Sequence, residues 1–294
     1  MIEWSWIGHA LEVASVIMFG WCWLETRRFR AGWHTELAVA FYYGCVLEIL
    51  DMRVFGTYHY GRLTWWWVGE LPLYIPLLWA IILHSSMVLS DRSGLPPWAR
   101  PFLDALLAVL IDLAIDAIAV RVGLWNWGIS LHEGWFGVPA GNLYAWMWVA
   151  TWYSAITRLV RRRIATRNEP RWHQFLVPVV AYTGLLMTLI LIGSLARWLG
   201  LERPNERLWL FAAHLLVFAA IVVRAARSRS RQASGQGVAR SLLISRWIMH
   251  LSFVMILMVG GIWRQTPALM VVCLMALAAE GSAQRWSELR VKTT

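Results

Sequence analysis

Phe102 to Val122 reads FLDALLAVLIDLAIDAIAVRV. Its length and apolarity suit a single bilayer crossing, since a hydrocarbon core takes about 20 residues of helix, yet it holds Asp112 and Asp116. Four residues apart on a helix, the two carboxyls share one face. An ionisable side chain at membrane depth costs about 2.5 kcal/mol or more unless it meets a partner or water. The pair therefore marks a membrane helix and a candidate site at once.

Comparable apolar runs lie near 4–24, 35–52, 71–90, 142–160, 174–196, 207–224, 242–262 and 266–283. The sequence thus predicts an all-α polytopic transmembrane bundle of about nine spans, the last two joined by a short connection around Arg264. Of 294 residues, 59% are hydrophobic and 15% charged, which excludes an ordinary water-soluble domain. The formal charge of +10 is nearly all arginine placed between the apolar runs. That is a topology signal and not a nucleic-acid footprint, so the expected partner is the lipid bilayer and no nucleic acid. With the amino terminus outside, Arg27, Arg28, Arg30, Arg92, Arg100, the arginines of 158–171 and 224–240, Arg285, Arg290 and Lys292 fall on the cytoplasmic side. The first run has its arginines after it, so it reads as a retained span and not a cleavable leader. Residues 1–225 read as the membrane-embedded helical domain. Residues 226–294 read as a cytoplasmic loop, rich in Ser, Gly, Gln and Arg from Arg227 to Ala239, followed by a carboxy-terminal transmembrane hairpin.

Cys22, Cys45 and Cys273 stand alone inside apolar runs, which suits packing and gives no metal site. No phosphate-loop, dinucleotide-binding or zincin motif occurs, so no cofactor is expected. Glu48 lies near the end of the second run, at the level of Asp112 and Asp116, and the loops Phe55–Gly61 and Gly123–Asn142 follow at the same level. Two like carboxyls in a low dielectric do not readily both ionise, which leaves one as a neutral acid able to donate a proton. The structural alternative is a pair that caps a neighbouring backbone or binds Arg121. Asp51 reads as a solvated helix end, and Asp104, after Pro101, as a favourable first-turn charge.

Most of the 22 tryptophans suit interfacial belts. Trp65, Trp66, Trp67, Trp125, Trp127, Trp135, Trp146 and Trp148 instead crowd the level of the acids, where indole faces can shield a carbocation or hold a long hydrocarbon. His9, His84, His214 and His250 fall within the runs. His9 and Glu12, three apart, read as a buried hydrogen-bonded pair; His214 and His250 sit at similar depth, with haem ligation as an outlying reading. His59, in the aromatic loop, is the histidine nearest the chemistry. Gly69-Glu70-Leu71-Pro72 with Pro76, and Gly137-Val138-Pro139, read either as turns at helix starts or as points where the loops fold back over a cavity.

Several motifs follow one another in order: Glu48, then Phe55-Gly56-x-Tyr58-x-Tyr60, Leu71-Pro72, Ile75-Pro76-Leu77 and Trp79, then Asp112-x-x-x-Asp116, Gly123-x-Trp125-x-Trp127, and Phe136-Gly137-Val138-Pro139-x-x-Asn142 ending at Trp146. Over roughly residues 40–160 the chain resembles the integral-membrane carotenoid hydratases, which add water to the acyclic ends of bacterial and archaeal carotenoids. It departs from that pattern at Asp51, Ala117 and Ala145. The resemblance implies acid catalysis: protonation of a terminal trisubstituted double bond, shielding of the tertiary cation by aromatic faces, and capture by water. It implies Asp112 or Asp116 as proton donor and Glu48 as partner or water-orienting base. Tyr58, Tyr60 and Asn142 become supporting donors, and His59, Trp66, Trp125, Trp127, Phe136 and Trp146 contacts to a hydrophobic polyene or isoprenoid. The implied location is the bacterial cytoplasmic membrane. Two other readings stay open: a membrane terpenoid cyclase or isomerase, and a non-catalytic binder of carotenoid, quinone or lipid.

Overall fold

The computed structural model describes residues 5–29, 32–201, 203–227 and 239–292. Arg30 and most of the loop expected between Arg227 and Ala239 lie outside the described residues. The apolar runs fold into α1 (Ser5–Phe29), α2 (Trp33–Leu50), α3 (Tyr74–Arg92), α4 (Arg100–Val122), α5 (Ala140–Arg167), α6 (Val177–Trp198), α7 (Leu208–Arg227) and α8 (Arg240–Val259). A single turn, α9 (Ile262–Gln265), precedes α10 (Pro267–Lys292). Breakers in the sequence set the ends. Pro101 and Pro178 sit in the first turns of α4 and α6, where a missing N–H leaves no helical bond unmade. Gly123 closes α4 in the left-handed region, at φ 75°.

Six of these helical segments are long and apolar enough to cross a membrane: Trp6–Arg28, Tyr74–Arg92, Arg171–Trp198, Leu208–Arg227, Arg240–Val259 and Pro267–Glu288. The protein is a multi-pass helical membrane bundle with six candidate spans among the described residues, which corrects the expected nine. The placement of the amino terminus outside had counted nine alternating crossings and loses its basis. The physical reason lies in the polar load of the other three long helices. Within its 18 residues α2 carries His34, Glu36 and Glu48. In α4 there are Asp104, Asp112, Asp116 and Arg121, and in α5 Arg158, Arg161, Arg162, Arg163 and Arg167.

Burial sorts the helices into an inner and an outer set. The apolar window of α3 is 89% buried, against 22% for those of α7 and α10. Outward faces of α6, α7 and α10 expose Met187, Ile190, Leu191, Leu216, Leu274 and Met275, an apolar belt that suits a lipid solvent. Inside, α4 packs against α3, α5, α7, α8 and α10. α2 and α3 approach closely at Gly44, where an added Cβ would lie 2.9 Å from Trp79 Cβ and 3.1 Å from Pro76 Cα. Gly44→Val is accordingly expected to push the two helices apart and cost about 1–3 kcal/mol, as overpacking does. Thermal denaturation in detergent measures the loss, and a melting curve identical to the parent's contradicts it.

Two loops close one end of the bundle. Following a π turn at Asp51–Phe55, β1 (His59–Tyr60) pairs antiparallel with β4 (Trp125–Asn126), Tyr60 opposite Trp125. Between them, β2 (Trp67–Val68) and β3 (Leu71–Pro72) form a tight hairpin. The loops touch so closely that a Cβ on Gly61 would fall 2.0 Å from the Gly123 carbonyl oxygen. Glu12 of α1 accepts the backbone N–H groups of Trp65 and Trp66 at 2.9 and 2.8 Å, while His9 stacks on Trp65 with ring centroids 3.9 Å apart. Both residues anchor the loop, in place of the expected His9–Glu12 hydrogen bond.

The opposite end is tied by arginine. Arg161 of α5 forks onto Glu36 at 2.8 and 2.6 Å and reaches Asp91 at 2.8 Å. Arg158 binds Asp91 at 3.0 Å and Asp104 at 2.5 Å. Asp104 is buried and also accepts the Ser90 hydroxyl, so it is an internal anion of this network and not a first-turn surface charge. A second buried pair joins the carboxy-terminal helices to the centre. Arg246 of α8, 0% exposed, donates twice to Glu280 of α10 at 2.7 Å, to Ser86 at 3.0 Å and to the Leu107 carbonyl at 2.8 Å.

Candidate functional site

Gly44 and Glu48 are four residues apart on α2 and so face α3 together. The bare Cα at Gly44 lets α3 approach, and Trp79 of α3 then donates its indole N–H to Glu48 Oε1 at 2.6 Å. Glu48 Oε2 accepts the hydroxyls of Tyr60, at 2.5 Å, and of Tyr58. Extended backbone sends alternate side chains to opposite sides, so Tyr58 and Tyr60 reach the same carboxyl while His59 between them cannot. Burial, reinforced by the neighbouring Glu48 carboxyl, pushes both phenols well above their ordinary range. They therefore remain protonated donors.

Across from α3, α4 presents Asp116, with Asp112 one turn further from the loops and fully buried. Both are buried, and two like carboxyls this close in a low dielectric do not readily both ionise, which leaves a proton on one of them. Asn142, in the first turn of α5 after Pro139, donates its side-chain amide to Asp116 Oδ2 and, at 3.4 Å, to Asp112 Oδ2. Arg121, the basic residue weighed as a partner for these acids, instead donates to the carbonyls of Ala117, Leu131 and Phe136.

Glu48 and Asp116 open into one cavity of about 60 Å³, walled by Tyr58, Tyr60, Trp79, Trp125, Trp127, Asn142 and Trp146 and by aliphatic side chains of α3 and α4. Its aromatic rings brace one another. Trp79 stacks on Trp146 at 4.0 Å, Tyr58 meets Trp127 at 4.6 Å, and Tyr60 meets the edge of Trp125 at 6.0 Å. Most small-molecule pockets pair an apolar wall with a few converging polar groups in this way.

The structure brings Glu48, Asp116, Tyr58, Tyr60, Trp125, Trp127, Asn142 and Trp146 to this cavity, and sets Asp112 directly behind it. It does not bring His59, Trp66 or Phe136 there. His59 lines a separate polar cleft with Arg62 and Glu70, on the far side of Tyr58 and Tyr60. Trp66 lies on the outer surface of the loop, 45% exposed. Phe136 packs against Trp135 at 5.1 Å and holds a left-handed backbone, φ 51°, that turns its carbonyl to Arg121. Trp79 was quoted only as part of a motif, and its role was the one missed. The signal was there in Pro72, Pro76 and Trp79 following each other at one end of α3, but the partner carboxyl belongs to another helix.

The other histidines belong to different surroundings. His214 bonds to the Leu210 carbonyl at 2.6 Å and stacks on Tyr144; His250 lies 3.7 Å from Glu280; His84 meets the edge of Trp33. The pairing of His214 with His250 considered from sequence is not formed.

A family model described as carotenoid biosynthesis protein matches residues 7–204. That span contains every residue of the cavity wall. No curated protein and no solved structure matches the chain.

Proposed function

The chain belongs to the carotenoid biosynthesis protein family, and from that membership and its buried acids we propose that it hydrates the terminal double bond of an acyclic carotenoid end group. The observation that carries this reading is the buried Asp112–Asp116 pair, held by one Asn142 amide, with Asp116 opening into an indole-walled cavity that Glu48 also lines. The two sites differ in what they receive. Glu48 accepts three donors, which favour its ionised form against the burial that opposes it and raises its pKa overall; Asp112 and Asp116 receive one amide between them.

The division of labour follows. Asp116 passes its proton to the less substituted carbon of the terminal alkene, and a tertiary cation forms on the neighbouring carbon. The faces of Trp79, Trp125, Trp127 and Trp146 stabilise that cation, an attraction worth about 2 kcal/mol or more where water is excluded. A water oriented by Glu48 adds its oxygen to the cation and loses a proton to the carboxylate. Net, one water is added and a tertiary alcohol results. Asn142 holds the Asp116 carboxylate that is left, and the proton gained by Glu48 passes through water in the cavity the two carboxyls share back to Asp116, which closes the cycle. We place the protein in the bacterial cytoplasmic membrane on the same reading.

Expression in a lycopene-producing bacterium, with mass spectrometry of the extracted pigments, tests the proposal. The expected product is heavier by one water. A product of unchanged mass and altered retention would mark an isomerase or cyclase instead, and unaltered pigments would leave only binding. Tyr58→Phe and Tyr60→Phe each remove one hydrogen bond to a charged group, worth about 1.5–3 kcal/mol. Each is expected to slow product formation by roughly tenfold to a hundredfold, read as the ratio of product to precursor; rates equal to the parent's would deny Glu48 its role.

A further inference from the structure

A hydrating enzyme of this kind must take a long hydrocarbon from the membrane and water from outside it, and the voids around the acids are divided accordingly. Beyond the Trp79–Trp146 stack lies a second void of about 60 Å³. It shares Glu48, Tyr58, Trp79, Asn142 and Trp146 with the acid cavity. From there its lining changes character: Val149 of α5, and Tyr182, Leu185, Leu186 and Leu189 of α6. The outer face of α6 carries the exposed Met187, Ile190 and Leu191, so this helix separates the void from lipid. α6 is pinned to α5 nearby. An added Cβ on Gly184 would fall 2.6 Å from the Trp152 ring, and Trp152 Nε1 donates to Thr188 at 3.0 Å. The polar cleft of His59, Arg62 and Glu70 meets the acid cavity on the other side, at Tyr58 and Tyr60.

Resting on the hydratase reading, we infer that the void beneath α6 is the binding subsite for the unreacted chain of the substrate, a linear isoprenoid. The ligand class follows from shape and lining. The acid cavity is walled by stacked indoles that suit one end group, and the void continuing from it is mostly apolar, with Asp51 and Tyr182 the polar exceptions away from the acids, and bordered by a lipid-facing helix. A linear chain fits that sequence of spaces, with its end at the acids and its body along α5 and α6. A compact cyclic terpenoid has no use for the second space. The chain also reaches the acids without crossing the polar cleft, which stays open to water.

Val149→Trp and Leu186→Trp test this, because an indole at either position fills the void and leaves the acid cavity intact. Each purified variant is given two substrates in detergent–lipid micelles: an acyclic carotenoid, and a short acyclic terpenoid bearing the same end group that fits within the acid cavity. The expected result is a loss of about tenfold or more on the carotenoid by both variants, with hydration of the short substrate within about twofold of the parent. Carotenoid hydration at the parental rate by either variant overturns the subsite. Loss of both substrates by variants that keep the parental melting temperature also overturns it, since the void then serves the acids themselves. For a variant whose melting temperature falls, Val149→Leu and Leu186→Phe supply the graded series, and a carotenoid rate that does not fall with side-chain volume overturns the subsite. A parent that hydrates neither substrate refutes the hydratase reading, an outcome distinct from all of these.

Discussion

Asp116→Asn is expected to abolish hydration, by about a thousandfold or more, the scale of a removed general acid. The amide keeps the shape of the carboxyl and can still accept the hydrogen bond from Asn142, so the cavity should keep its form. What it lacks is an acidic proton to place on carbon. The comparison with Asp112→Asn is informative, because Asp112 lies behind Asp116 and does not line the cavity. That variant is expected to retain measurable turnover. Both should still bind polyene, seen as a shift of its visible absorption on adding protein. Pigment analysis in a lycopene-producing host decides the matter: hydrated product from Asp116→Asn at the parental level would falsify the assignment of the proton donor.

The largest effect on stability is expected at the far side of the bundle. Glu280→Leu leaves the Arg246 guanidinium in a fully buried setting with two serine hydroxyls and the Leu107 carbonyl, but no counter-charge. Breaking a buried pair by removing one partner costs about 3–5 kcal/mol. Replacing both partners by apolar residues of similar volume is often neutral or better, so Arg246→Met with Glu280→Leu is expected to recover most of the loss. Thermal denaturation in detergent, or resistance to protease, reads the difference. A single variant that loses less than about 1 kcal/mol, the scale of a solvent-exposed pair, would show that water reaches this site.

The helices, and the shared face of Asp112 and Asp116, could be read from the sequence because both depend on local pattern. Apolar runs of spanning length became helices, and Asp112 and Asp116 share a face through helical spacing alone. Partnerships across helices were less visible. Glu48 meets Trp79 because Gly44 admits α3, and Asp104 meets Arg158 across more than fifty positions of sequence. The span count erred for a related reason: helices that carry a buried polar site fall short in hydropathy, and the sequence reading counted them by their apolar residues. Among the aromatics, composition indicated depth but not direction. Trp66 and Phe136 lie at the right level and point elsewhere, whereas the alternation of Tyr58, His59 and Tyr60 contained the distinction between cavity and cleft.

The two-rung ribbon of β1 and β4 makes the connection after α2 sensitive to parity. Because successive positions there present opposite sides, one inserted residue before Tyr58 would exchange the phenols for the imidazole, whereas two would restore the original presentation at a shifted register. Length variation in this stretch is thus tolerated in pairs. A buried carboxyl on one helix becomes answerable to the odd or even count of residues in a surface loop.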